Sequence, residues 1–236
     1  MMTFLKNNLM FVATLSVLNV VAVSCGDVVA PSLTASEAAD LVSNAVVSGT
    51  EGLTVQVEDM SSLATTYLSY CNQALDSSVT RTGGTAPRSY AYTFDWDWLL
   101  TCNQVGVPTK MDFSWASDGT YSLAAMNSDD AAEGTFAVTG LQPSITILTF
   151  NGKYVRTGTQ NFTGRNAKST TSTLEMTVLN LTYDEGQDEI TGGTAEIELT
   201  GAVTGGSSFS FTGTLTFNGN QSATLVINGT SYPISW

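Results

Sequence analysis

The last third of the chain alternates between apolar and polar residues with a period of two. Around Glu196 and Ile197, for example, glutamates occupy one side and large aliphatic residues the other. This alternation is typical of an antiparallel sheet that buries one face and exposes the other to water. A change of phase between Val178 and Leu179 predicts a β-bulge. The pattern predicts five strands, at residues 170–183, 190–203, 207–217, 222–228 and 230–236.

A second alternating segment starts at residue 89 and is rich in aromatic residues. Five aromatic side chains share one face of this predicted strand: Tyr90, Tyr92, Phe94, Trp96 and Trp98. This aromatic stripe can line the core, since an exposed apolar patch of that size is unusual on a monomer. It can also form a platform that stacks against sugar rings. The core interpretation is favoured, and ligand binding by the stripe is the alternative.

Two dipeptides in the middle of the chain are typical of tight β-hairpin turns. They are Asp118-Gly119 and Asn151-Gly152, and both suit backbone conformations with positive φ. They predict two hairpins, with strands at residues 111–117 and 120–126 and at residues 144–150 and 153–157.

The N-terminal part of the body has helical patterning instead. Thr34 and Glu37 form a capping-box pattern, and the apolar residues that follow recur at helical spacing. Residues 55–57 indicate a short strand, and a second helix is predicted to begin at Asp59. The Ser, Thr and Gly content of residues 76–89 is typical of a loop.

These elements predict one β-rich domain over residues 34–236. Its fold class is α+β, mainly β: a curved antiparallel sheet (a meander, half-barrel or barrel-like) covered by one or two N-terminal helices. A sheet that is apolar on one side only must cover that side. An all-β sandwich without helices is the alternative.

The first 25 residues indicate where the protein resides. Lys6 precedes an apolar run at residues 9–23, which small residues connect to Cys25. About fifteen helical residues fall short of a hydrocarbon core that is roughly 30 Å thick. The stretch is therefore typical of a cleaved signal peptide at residues 1–24, and the protein is predicted to be exported.

Residues 18–25 resemble the lipobox of bacterial lipoproteins. The resemblance is carried by Ala22, Val23 and Ser24 directly before Cys25, and it implies that Cys25 is lipidated and anchors the protein to a membrane. Gly26 follows the cysteine where an aspartate would favour inner-membrane retention, so the outer membrane is expected, with residues 25–33 as a tether. Ordinary cleavage and secretion is the alternative.

Cysteine and histidine content limits the chemistry of the body. Lipidation of Cys25 leaves Cys71 and Cys102, which we expect to form a disulfide in an oxidising compartment. The chain has no histidine, which excludes imidazole-based triads and histidine-ligated metal sites. No phosphate loop or dinucleotide fingerprint occurs. No cofactor and no metal are expected.

The mature body is strongly acidic, with 7 basic and 21 acidic side chains after residues 1–24 are removed. Such a charge argues against nucleic acid as a partner. Two crowded acidic segments suit calcium by ligand type but are better explained as solvated turns: Asp184, Glu185, Asp188 and Glu189, and Asp129, Asp130 and Glu133.

Function is predicted only in outline, as a non-enzymatic envelope protein with a binding or structural role. Any ligand is expected to be a neutral glycan or an apolar molecule on the concave side of the sheet. A carbohydrate-binding surface module that uses the aromatic stripe is the first alternative. A glycoside hydrolase that uses Asp95 and Asp97 is the second, because such enzymes need two carboxylates that flank the substrate.

Overall fold

The computed structural model describes residues 30–142, 144–163 and 167–236. The predicted signal peptide and lipidation site, residues 1–25, lie outside the described residues. Helix α1 spans Ala35–Val46, and helix α2 spans Leu53–Thr66. A short 3₁₀ turn at Ser48–Thr50 joins the two helices.

Helix α1 begins with the predicted capping box. The Thr34 hydroxyl accepts a hydrogen bond from the Glu37 amide at 3.3 Å, and the Glu37 carboxylate accepts one from the Thr34 amide at 2.8 Å. Lys168 also contacts this carboxylate at 2.7 Å, so it ties the start of α1 to the sheet.

Helix α2 begins earlier than predicted. It starts at Leu53, and residues 55–57 are helical rather than extended. The reason is a stripe of buried residues at helical spacing, which the sheet covers: Leu53, Val57, Met60 and Ala64.

Ten strands follow the helices. Their bounds are β1 Ala74–Thr85, β2 Arg88–Cys102, β3 Pro108–Ser122, β4 Met126–Thr139, β5 Ile147–Phe162, β6 Lys168–Asp184, β7 Glu189–Val203, β8 Ser208–Gly219, β9 Ser222–Ile227 and β10 Thr230–Ser235. Each strand pairs antiparallel with the next one along the chain, so the sheet is a meander in sequence order. The fold class predicted from the sequence, α+β and mainly β with a curved antiparallel sheet, is confirmed.

The middle of the chain differs from the prediction because its strands are longer. Asp118-Gly119 lies inside β3 and Asn151-Gly152 inside β5, so neither dipeptide forms a turn. The ring of Tyr92 occupies the space where a side chain at Gly119 would stand, with Cδ1 only 2.3 Å from the position of an added Cβ. That glycine therefore makes room for an aromatic residue of the neighbouring strand.

Residues 76–89 are also extended rather than looped. Most of them belong to β1, which pairs along its whole length with β2. The predicted bulge in β6 is present, and the register with β7 shifts between Leu179 and Thr182.

The sheet curves around the helices. The 3₁₀ turn contacts β2, α2 contacts β5, and α1 contacts β9. In a flat sheet, seven strand spacings of about 4.8 Å would separate β2 from β9 by roughly 34 Å, several times the radius of a helix. We call the face towards the helices the inner face and the opposite one the outer face.

Candidate functional site

The aromatic stripe of β2 lies on the inner face. Tyr92, Phe94, Trp96 and Trp98 are only 1–4% exposed, whereas Tyr90 is half-buried. Their rings pack against aromatic residues of the next strand, with the centroids of Trp96 and Trp115 5.6 Å apart. Four of the five side chains therefore pack in the core and present no exposed platform.

Asp95 and Asp97 lie on the exposed outer face of β2. They border a shallow groove of about 340 Å³ together with Glu133 of β4 and Lys153 of β5. The two aspartates are side by side along one edge of this groove. They do not face each other across it, as a retaining or inverting glycosidase requires.

The two acidic segments have different surroundings. Glu185 and Asp188 lie in the predicted turn, and Asp184 ends β6 and Glu189 begins β7 on either side of it. The other segment is part of β4, so Asp130 points inward while Asp129 and Glu133 point outward. Among the described residues, no group of three or more acidic or cysteine side chains is arranged to hold a metal ion.

A charged network is buried on the inner face where the helices meet the sheet. Arg156 of β5 and Asp130 of β4 are both almost fully buried, and Nη2 lies 3.0 Å from Oδ1. The Tyr92 hydroxyl donates to the Asp130 carboxylate at 2.9 Å and accepts a hydrogen bond from Arg156. Ser128 donates to the same carboxylate at 2.7 Å, so the buried charge is fully paired.

Arg156 also binds the helical segment. Its guanidinium donates to the Asn44 carbonyl at 3.1 Å and to the Thr50 carbonyl at 3.2 Å. Burial by itself lowers the pKa of Arg156, but the Tyr154 hydroxyl and the Asp130 carboxylate raise that pKa above its ordinary value. Burial raises the pKa of Tyr121, whose ring lies 5.2 Å from the guanidinium, to about 12.

Sequence reasoning missed this network, although a signal was present. Arg156 shares the inward side of its strand with Tyr154, and Asp130 shares the inward side of the adjacent strand with Ala132. A basic and an acidic residue at buried positions of neighbouring strands predict an ion pair.

A cavity of about 490 Å³ opens beside the network. We call it the seam cavity, because the first and last strands both contribute to it, through Gly84 and Ser235. Its other walls come from the 3₁₀ turn, the β1–β2 hairpin and the β3–β4 connection. Apolar and aromatic parts of the lining are Val47, Tyr90, Leu123, Ala124, Ala125 and Trp236.

The seam cavity and the network share two residues. Asn44 and Thr50, whose carbonyls accept hydrogen bonds from Arg156, also line the cavity. Of the predicted site residues that the structure describes, only Tyr90 lines the cavity. The lining extends in sequence from Asn44 to Trp236, which are 192 positions apart. The curvature of the sheet brings these distant residues together.

The predicted disulfide is present between Cys71 and Cys102, with 5.5 Å between their Cα atoms. It joins the segment after α2 to the end of β2, and the carbonyl of Gly106 lies 3.8 Å from Cys71 Sγ. Cys25 lies outside the described residues, so its lipidation stays a prediction.

Comparison with known proteins gives no relative from which a function can be inferred. The chain matches no family model, no curated protein and no solved structure. No helix within the described ranges is both long and apolar enough to cross a bilayer.

Proposed function

We propose that this chain is an exported, lipid-anchored envelope protein without enzymatic activity, which binds a small, largely apolar ligand in the seam cavity. The observation that carries the proposal is the cavity itself. Its volume of about 490 Å³ falls within the range of roughly 300–1,000 Å³ that is typical of small-molecule sites. Its lining combines aromatic and aliphatic surface with a few polar groups, as such sites do.

The position of the cavity also supports binding. It opens to solvent past Ala124 and Ala125, which are exposed, while the buried network beside it holds the 3₁₀ turn in place. A pre-formed wall lowers the entropic cost of binding, because less of the protein must become ordered.

Binding of a neutral apolar probe tests the proposal. N-phenyl-1-naphthylamine becomes fluorescent in apolar surroundings, and we expect saturable binding to the mature chain. An Ala125→Trp substitution fills the cavity from an exposed turn and should abolish that signal. The matched control, Ala116→Trp on the outer face, should leave it unchanged; equal binding by both variants would remove the cavity as the site.

Carbohydrate binding is the second candidate, and the structure changes where it would occur. Trp96 and Trp98 are buried, but Tyr90 and Trp236 both line the seam cavity. Asn44, Ser48, Ser89 and Ser235 supply hydrogen-bonding groups there: aromatic rings and hydroxyls suit a neutral sugar. If methyl glucoside displaces the naphthylamine probe and 1-octanol does not, a sugar ligand is favoured over an apolar one.

A further inference from the structure

The seam cavity differs from its neighbours in the charge of its lining. Four other cavities of the described residues each include at least one carboxylate, contributed for example by Glu196, Asp95, Glu58 and Asp130. The seam cavity has no acidic side chain in its lining and one basic side chain, Arg88. In a chain with 21 acidic and 8 basic residues, a cavity whose one charged lining side chain is basic is unexpected.

Arg88 is also the one basic side chain within the described ranges that has no ion-pair partner. The other five are paired: Arg81 with Glu51 and Asp59, Lys110 with Asp112, Lys153 with Glu175, Arg156 with Asp130, and Lys168 with Glu37. A guanidinium matches the two oxygens of a carboxylate or the oxygens of a phosphate with paired hydrogen bonds. Arg88 therefore has its anion-binding groups available at the edge of an apolar cavity.

The two features together specify a kind of ligand. We propose that the seam cavity binds an amphiphile with a single anionic headgroup, which pairs with Arg88 while its apolar chain lies against Trp236, Tyr90 and Leu123. The inference rests on the proposed binding function and adds the charge of the ligand. Carboxylate and phosphate heads share the required chemistry.

Three probes with the same eight-carbon chain test the headgroup. Octanoate is anionic, octyl glucoside is neutral and octyltrimethylammonium is cationic, and each is titrated below its micellar concentration into the mature chain. Trp236 reports binding through its fluorescence, because the other three tryptophans are buried. We expect octanoate to bind about fivefold more tightly than octyl glucoside, as suits an ion pair with an exposed arginine. The cationic probe should bind most weakly, and octyl phosphate should behave as octanoate does.

Arg88 variants test the residue. Arg88→Gln should lower the affinity for octanoate to that for octyl glucoside and leave octyl glucoside binding unchanged, and Arg88→Lys should restore part of the difference. Lys110→Gln, the matched control, removes an equal charge from an exposed ion pair that does not line the cavity and should have no effect.

The outcomes separate the two proposals. Equal affinity for all three probes, or an octanoate affinity that survives Arg88→Gln, would overturn the anionic headgroup and leave the binding function standing. If the cationic probe binds most tightly, the proposed anionic headgroup is also wrong, and the acidic surface of the protein rather than Arg88 sets the preferred charge. If no probe binds, including the neutral naphthylamine, the binding function itself is wrong.

Discussion

Arg156 connects the sheet to the helical segment. It donates one hydrogen bond to the Asn44 carbonyl and one to the Thr50 carbonyl. Helix α1 has no basic residue in its last turn, where the carbonyl ends of a helix attract a positive charge. Arg156 supplies that charge from β5, 112 positions away along the chain from Asn44. The same guanidinium neutralises Asp130, so one side chain satisfies both a helix end and a buried acid.

Removal of Arg156 should therefore destabilise the fold strongly. For Arg156→Met we expect a loss of about 3–5 kcal/mol in the free energy of unfolding, because the substitution leaves the Asp130 carboxylate buried and unpaired. The double variant Arg156→Met, Asp130→Leu should lose less than the sum of the two single variants. Urea unfolding measures both, with Lys110→Met as the exposed control, expected to cost under about 1 kcal/mol. Additive losses would contradict the pairing.

Glu58 of α2 should give the stability a measurable pH dependence. Burial raises the pKa of Glu58, and the nearby negative charges of Asp188 and Asp59 raise it further. A carboxyl group whose folded pKa exceeds its unfolded pKa favours folding at low pH and opposes it once the pH rises through the folded value.

Glu58→Gln should therefore increase the free energy of unfolding at pH 7, by under about 1 kcal/mol because the side chain is partly solvated. At pH 3, below the ordinary pKa of 4.5, the variant and the original chain should be equally stable. Urea titrations at both pH values check this. Ser62 lines the same surface cavity as Glu58, so Ser62→Ala is the matched control: it changes no charge and should show no such pH dependence.

At the scale of elements, the helical hairpin depends on a close approach at Gly52. This residue precedes α2 and lies against the end of α1, where an added Cβ would stand 2.6 Å from the carbonyl carbon of Val46. Backbone cannot move aside as a flexible side chain can. The two helices can therefore pack in this arrangement only with glycine between them.

The Gly52→Ala variant should force the helices apart and cost about 1–3 kcal/mol, as overpacking does. Gly49, three residues earlier, has no atom within 4 Å of an added Cβ, so Gly49→Ala should change the stability by less than about 0.5 kcal/mol. Thermal unfolding followed by circular dichroism compares the two. Equal effects would show that the close approach at Gly52 is unimportant.

The disulfide constrains the same region of the fold. It closes a loop of 31 residues that contains the whole of β1. On the chain-entropy model, opening such a loop costs roughly 3–4 kcal/mol. The Cys71→Ser, Cys102→Ser variant should lose about that much in urea unfolding. Dithiothreitol should reduce the stability of the original chain but not that of the variant; a reductant effect on both would point to another cause.

At the scale of the whole molecule, the start of the described chain is held at one place on the sheet. The Pro31 carbonyl accepts a hydrogen bond from the Ser207 amide at 3.0 Å, and Lys168 Nζ donates to the Ser32 carbonyl at 2.6 Å. Residues 31–33 of the predicted tether therefore contact the body. Pro31 lies six positions after Cys25, which allows a span of at most about 22 Å. A lipid on Cys25 would keep the β7–β8 turn close to the membrane.

The intact mass of the native protein and the fractionation of cells into membranes and soluble material test the lipid anchor. We expect the native protein to begin at Cys25, to carry acyl chains and to sediment with membranes. Cys25→Ser should release it into the soluble fraction while Cys71 and Cys102 stay oxidised, since the disulfide does not involve the anchor. A full-length native protein with the leader attached and three reduced thiols would contradict both export and anchoring.

Much of the fold was predictable because the face of a strand is a local property. The period-two pattern identified the five C-terminal strands and the inward stripe of β2, and the capping box at Thr34 located α1. The two predicted hairpin turns failed because a glycine had two possible roles. Gly119 suits a tight turn by its conformational freedom, but in the sheet it makes room for Tyr92 from the next strand. Which role a glycine has depends on how the strands pair, and the local sequence around the glycine does not specify that pairing.

Local alternation indicates the side of a strand on which a residue lies, and the residues before Cys25 predict the compartment. Which residues those side chains contact depends on how the strands and helices pack together. The pairing of Arg156 with Asp130 and the lining of the seam cavity, Arg88 included, depend on residues far apart in the chain. Alternation is a property of neighbouring residues along one strand, whereas the contacts across the inner face follow from the curvature of ten paired strands.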